Sequence, residues 1–194
     1  MKRLHREGLY AWSVFDEARN IDFNSLFVVR SGGNVLIDPL PVSEHDLAHI
    51  EALGGVALVI VTNSDHLRES QAFAERFGAR CAGPAAEKLE GFDPLHDGDE
   101  PVPGLRVLEL QGSKTPGELA LVLDGETLIT GDLVRSHAGG SLHCLPPPKL
   151  KDAEAAHASL RRLAALPVDA VLVGDGYPVF RDGQARLVEL VERC

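Results

Sequence analysis

Three stretches of the chain share one construction, an apolar strand that stops at a polar tip carrying an aspartate. VALVIVTNSDHLRES (Val56–Ser70) is apolar and β-branched as far as Thr62, then polar at once, with a helical pattern from about Asp65. LITGDLV (Leu128–Val134) and AVLVGDGYP (Ala170–Pro178) each end their apolar run in Gly-Asp. An α/β fold presents chemistry in this way, because the tip of such a strand lies at the carboxyl edge of a sheet. The construction restricts the fold to the α/β class. It also makes Asp65, Asp132 and Asp175 candidates for one shared site.

The intervening segments alternate between strand and helix signals. Leu26–Arg30 and Val35–Ile37 read as short strands joined by SGGN (Ser31–Asn34), a hairpin signal, with Asp38-Pro39 closing the second. Ser43, followed by Asp46, opens a helix over Glu44–Leu53 that Gly54-Gly55 stops. The helix from about Asp65 to Phe77 places Leu67, Phe73, Ala74 and Phe77 on one stripe, with Gly78 just past its end. Arg80–Ala82 is a short strand, Ala85–Leu89 a helical turn, and Gly91–Gly104 a loop rich in Asp, Gly and Pro. Leu105–Leu110, Leu119–Leu123 and Thr127–Thr130 are strands, the last two joined by the turn Asp124-Gly125. Ser136–Lys149 reads as a long irregular loop, of the kind that is usually functional. Asp152–Leu166 is an amphipathic helix, Val168–Val173 the last strand, and Asp182 a cap for a final helix to about Glu192. The same order of strands and strand–tip–helix unit recurs in each half. It predicts a single domain over residues 1–194 in which two sheets face each other and helices cover both outer faces.

Composition narrows the function. A chain of 194 residues is most simply one domain, burying about 70% of the surface of the unfolded chain. The net charge of −10, with no Lys/Arg stripe, excludes nucleic acid and anionic membrane as expected partners. The odd number of cysteines (Cys81, Cys144 and Cys194), without motif spacing, fits a reducing compartment. MKRLHREGLYAW lacks the apolar segment of a signal peptide, and the run around Val56–Val61 is too short to span a bilayer. The expected setting is cytoplasmic and the expected partner a small-molecule ligand.

Taken together, these segments resemble the metallo-β-lactamase fold superfamily over nearly the whole chain. NSLFVVRSGGNVLIDP is similar to the opening hairpin of that family, which ends in an Asp, here Asp38. GSKTPGELALVLDGETLITGDLV resembles its GHTPGS…L…GD segment, and VGDGYP its terminal GHG loop. More narrowly, the chain is similar to bacterial members described as metal-dependent hydrolases. The resemblance implies a four-layer αβ/βα sandwich. It also implies a family signature, T-H-x-H-x-D-H, that builds two zinc or iron sites around a bridging hydroxide.

This chain departs from that signature. Anchored on Thr62, the match puts Asn63 and Asp65 at the first two histidines, Leu67 at the Asp and Arg68 at the last His. A register shifted by one keeps Asp65-His66 as the Asp-His pair but puts Val61 on a ligand position. Lys114 stands where the family has the His before TPG, Asp132 matches the bridging Asp, and Asp175 replaces the final His. The resemblance therefore makes Asn63, Asp65, Asp132 and Asp175 the candidate metal ligands, and Lys114, Asp132 and His66 the candidate catalytic residues. Each also has a structural reading. The aspartates can hold the GD and GDG turns, Asn63 the strand end, and His66 the first helical turn. His137, His143 and Cys144 match no zinc spacing, and His5, His45, His49, His96 and His157 are scattered.

Charge decides between the readings. Asp65, Asp132 and Asp175 against Lys114 and Arg68 leave one net negative charge, whereas three uncompensated carboxylates would destabilise one another. An ammonium at Lys114 can take the place of a metal charge by donating to aspartate oxygens. The cofactor expected is none, or one divalent cation; oxygen ligands favour Mg²⁺, Mn²⁺ or Ca²⁺ over zinc. Three functions fit. One is a hydrolase of a small ester, lactone, thioester or amide. Another is a metal-free binding or regulatory protein in which Lys114 replaces the metal charge. The third is an enzyme using Lys114 as base or nucleophile, and neighbouring aspartates disfavour it.

Overall fold

The computed structural model describes all 194 residues, which divide into two compact units, Met1–Leu95 and His96–Cys194. The first contains β1 (Lys2–Arg3), β2 (Leu9–Asp16), β3 (Ile21–Val28), β4 (Val35–Ile37), α1 (Glu44–Ala52), β5 (Leu58–Ile60), α2 (Ser70–Phe77), β6 (Arg80–Pro84) and β7 (Asp93–Leu95). Its strands form one seven-stranded sheet in sequence order, antiparallel from β1 to β4 and parallel from β4 to β7. The apolar faces of α1 (Leu47, Ile50) and α2 (Phe73) pack with Phe27, Leu36 and Val59 of the sheet. Ser43 caps α1 by accepting from the Asp46 N–H at 3.2 Å, and Gly78 ends α2 at φ 63°.

The second unit contains β8 (Leu105–Glu109), β9 (Leu119–Leu123), β10 (Thr127–Thr130), β11 (Val134–Ala138), β12 (Ser141–Cys144), α3 (Ala153–Ala164), β13 (Ala170–Val173) and α4 (Gly183–Arg193). Its sheet has the order β13-β10-β9-β8, with β10 and β13 parallel and the other pairs antiparallel. Asp124 (φ 53°) and Gly125 (φ 74°) make the β9–β10 turn, both left-handed as a two-residue hairpin turn of this kind requires. Leu160 and Leu163 of α3 and Leu187 and Leu190 of α4 pack on Leu108, Val122, Leu128 and Val171. Each unit thus supplies one main sheet and one helical layer, which is the composition of the expected α/β sandwich, and the second adds the two-stranded β11–β12 sheet. No helix is long and apolar enough to cross a membrane.

Four local expectations need correction. The strand expected at Leu26–Arg30 is the end of a longer one, β3, which pairs along its whole length with β2. The helix expected from Asp65 to Phe77 is split into a 3-10 turn, Ser64–His66, and α2, because Arg68 adopts φ 35° between them. Glu69 N–H then donates outside the helix, to Pro39 O at 3.1 Å. The loop expected at Ser136–Lys149 contains the hairpin β11–β12, turning at Gly139-Gly140. Asp182 makes no side-chain cap; the Gly183 and Gln184 N–H groups donate to Asp169 O and Val168 O, both at 2.8 Å.

Candidate active site

Parallel pairing brings two of the three tip aspartates together. β10 and β13 run in register, Thr130 beside Val173, and Asp132 and Asp175 each lie two residues beyond those partners. Both are buried, 2% exposed. β9 runs antiparallel to β10 with Ala120 opposite Thr130, so the loop that leads into β9 arrives at the same sheet edge. Lys114 on that loop places Nζ 2.7 Å from Asp132 Oδ2. Beyond Asp132 the chain enters β11, where Ser136 N–H donates to Asp175 O and Tyr177 N–H donates to Ser136 O, each at 3.0 Å. This lateral bond sets Arg135 between the two carboxylates. Its Nη2 donates to Asp175 Oδ2 and lies 3.6 Å from Asp132 Oδ1. Two carboxylates and two cations thus form a charge-balanced set at the edge of the second sheet.

A fifth residue fixes the register of this set. Glu118, fully buried, accepts from Ser113 Oγ with one oxygen and from Leu133 N–H at 2.8 Å with the other. Ser113 precedes Lys114 and Leu133 follows Asp132, so one carboxylate ties together the two chain segments whose side chains form the ion pair. Gly112 brings the loop close to α3. It sits at φ 82°, and its carbonyl accepts from Lys151 N–H at 3.1 Å. Farther along the hairpin, His137 N–H donates to His143 Nδ1 at 3.3 Å and the two rings meet edge to face. Burial, and then the nearby Arg135 and His143, hold His137 below its ordinary pKa.

The first unit carries a different constellation. Asp38 ends β4 in a left-handed conformation, φ 49°, and accepts from Thr62 N–H and Thr62 Oγ1, both at 2.7 Å. His66 Nδ1 lies 2.8 Å from Asp38 Oδ2 and 2.9 Å from Thr62 Oγ1. All three residues are buried. An ionised carboxylate only accepts, so Nδ1 carries a ring proton and donates it to Asp38. A non-glycine residue held at positive φ and spent on orienting a histidine is the kind of strain that collects at functional sites. His66 is therefore a buried, oriented side chain rather than the surface or capping residue of its structural reading.

Of the residues proposed as metal ligands, Asn63, Asp132 and Asp175 have partners within the chain. Asp132 and Asp175 already face the ammonium and guanidinium just described. Asn63 Oδ1 accepts from Asp65 N–H at 3.0 Å, capping the 3-10 turn, and Asp65 is exposed. Arg68, counted from sequence as a compensating cation, donates to Asp38 O at 3.2 Å and lies over the Phe23 ring, 5.3 Å from its centroid. The second cation on the aspartates is Arg135. Sequence reasoning missed it, although its position three residues after Asp132, directly past the stretch Leu128–Val134, is the available signal. Glu118 was missed as well; a charged residue directly before the apolar run LALVL is its only mark.

Comparison with known proteins adds the following. A family model described as the metallo-beta-lactamase superfamily matches residues 1–194. A hydroxyacylglutathione hydrolase of Mesorhizobium japonicum is 32% identical over 151 residues, covering 71% of this chain and 55% of that protein. The chain therefore spans little more than half the length of that relative. Among solved structures, the metallo-beta-lactamase from Pontibacter korlensis aligns with a TM-score of 0.75 at 18% identity, covering 99% of this chain and 98% of that one. A protein solved in a di-iron-bound form aligns with a TM-score of 0.69 at 23% identity, covering 92% and 98%. Identities this low establish a common fold.

Proposed function

Since the chain belongs to the metallo-β-lactamase superfamily, we propose that it hydrolyses a small acyl compound with positive charge supplied by its own Lys114 and Arg135. Among an ester, lactone, thioester and amide, a thioester is favoured, because the relative in Mesorhizobium japonicum is a hydroxyacylglutathione hydrolase, which cleaves one. Members of the superfamily usually bind metal ions, and one solved neighbour holds two irons. The observation that carries the present reading is the ion pair of Lys114 with Asp132, 2.7 Å apart, beside the Arg135 bridge. An acyl transfer builds negative charge on the carbonyl oxygen, and a preorganised cationic donor stabilises that charge. Lys114 is 29% exposed against 3% for Asp132, so the ammonium is the member of the pair that a ligand reaches. A lysine paired with a buried carboxylate serves as a donor better than as a base or nucleophile. No resident metal is part of this reading; a divalent cation entering the oxygen-rich set would be Mg²⁺, Mn²⁺ or Ca²⁺ before zinc.

A second reading is a metal-free binding or regulatory protein. The same ion pairs favour it, because both aspartates are engaged by cations. An assay on a panel of acyl thioesters, esters and lactones, with and without chelator, separates the two. The expected result is thioester turnover indifferent to chelator and reduced about 100-fold or more in Lys114→Met. Turnover of nothing in the panel favours the binding protein, and turnover only with added zinc or iron overturns both readings.

A further inference from the structure

Two thiols that the hydrolytic reading leaves unused meet in the second unit. Cys144 ends β12 and packs against the unit's core, and Cys194 follows α4 with its N–H donating to Leu190 O at 3.1 Å. The residue before Cys194 fixes the approach. Arg193 Nη2 donates to Leu142 O at 2.9 Å and Nη1 lies 3.4 Å from Ser141 Oγ, which pins the end of α4 to β12. Leu142 of β12 and Leu187 and Leu190 of α4 share one core beneath that clamp. Both are free thiols, and Cys194 is a close enough neighbour to act on the Cys144 thiol.

We propose that Cys144 and Cys194 form an oxidation-sensitive pair that closes to a disulfide and clips the end of α4 to β12. The oxidant is a small disulfide of the glutathione class. Cys194, the exposed member, attacks as thiolate, forming a mixed disulfide and releasing one glutathione thiolate. Cys144 gives its proton to solvent and attacks the Cys194 sulfur, and the second glutathione thiolate leaves. The two protein thiols lose two electrons, and the small disulfide is reduced to two thiols. This order follows from the surroundings of Cys144. Burial first, and the neighbouring Cys194 next, push its thiol up to about 12. Cys144 is therefore the less reactive of the two thiols. A mixed disulfide on Cys194 is neutral, and Arg135 favours the Cys144 thiolate. In the β11–β12 ladder Cys144 lies opposite Val134 and His143 opposite Arg135, so the clip braces the strand that holds the active-site guanidinium.

The test is exposure of the intact, reduced chain to oxidised glutathione, followed by acid quench, alkylation and peptide mass spectrometry. The expected product lacks two hydrogens, links the Cys144 and Cys194 peptides, and leaves Cys81 alkylatable. Cys144→Ser should instead retain one glutathionyl group on Cys194, and Cys194→Ser should leave Cys144 unmodified. The oxidised parent should melt about 5 °C or more above the reduced form, because the closed loop restricts the unfolded chain. A glutathionyl group persisting on Cys194 in the parent, or a cross-link that uses Cys81, overturns the proposal.

Discussion

Asp132 has two cationic neighbours of unequal reach: Lys114 Nζ at 2.7 Å and Arg135 Nη2 at 3.6 Å. Asp175 depends on Arg135. Removing the nearer cation leaves a buried carboxylate facing one guanidinium that already serves a second carboxylate. Lys114→Met keeps the volume of the side chain and deletes its charge. The expected loss is about 2–3 kcal/mol, below the cost of breaking a fully buried pair because Lys114 is partly exposed. Millimolar Mg²⁺ or Ca²⁺ should restore part of it, since the ion binds the folded state only. Thermal unfolding of the parent and the variant, with and without divalent ion, checks this. A variant as stable as the parent and indifferent to the ion would show that Lys114 does not neutralise the pair. Glu118 belongs to this scale too, since a single carboxylate accepts from both segments that present the pair.

At the scale of elements, the parallel register of β10 and β13 aligns the two aspartates, and the loop from Leu110 to Glu118 delivers the lysine. That loop can lie against the start of α3 only because residue 112 is glycine. A Cβ there would sit 2.2 Å from Ala156 N and from Asp152 O, backbone atoms that cannot yield, at a φ that side chains rarely adopt. Gly112→Ala should therefore cost about 3 kcal/mol or more, lowering Tm by about 6 °C or more; a melting point within a degree of the parent's would contradict it. The sequence makes Asp132, Asp175 and Lys114 legible because each interrupts an apolar run or a turn motif at a strand end. Arg135 and Glu118 are not legible in the same way. A charged residue beside an apolar strand ordinarily reads as solvent-facing, and only tertiary neighbours show that it is buried and paired. The break at Arg68 is hidden for another reason. DHLRESQAF keeps a helical period, and nothing local encodes a left-handed arginine. The β11–β12 hairpin is hidden by its composition, since SHAGGSLHC is polar and close to three prolines.

For the molecule as a whole, membership of the metallo-β-lactamase superfamily sets the α/β fold. What distinguishes this chain is the charge balance at the edge of its second sheet. A cage of neutral imidazoles needs dications to organise it, whereas carboxylates facing a lysine and an arginine are already balanced. The measurement that tests this most directly is elemental analysis of the native protein, purified without chelator or added metal and then dialysed against a mild chelator. The account predicts substoichiometric zinc and iron, with the folded state unchanged by dialysis. One or two equivalents of either metal retained per chain would contradict it, and would mean that the ion pairs of Lys114 and Arg135 give way to a metal in the working protein.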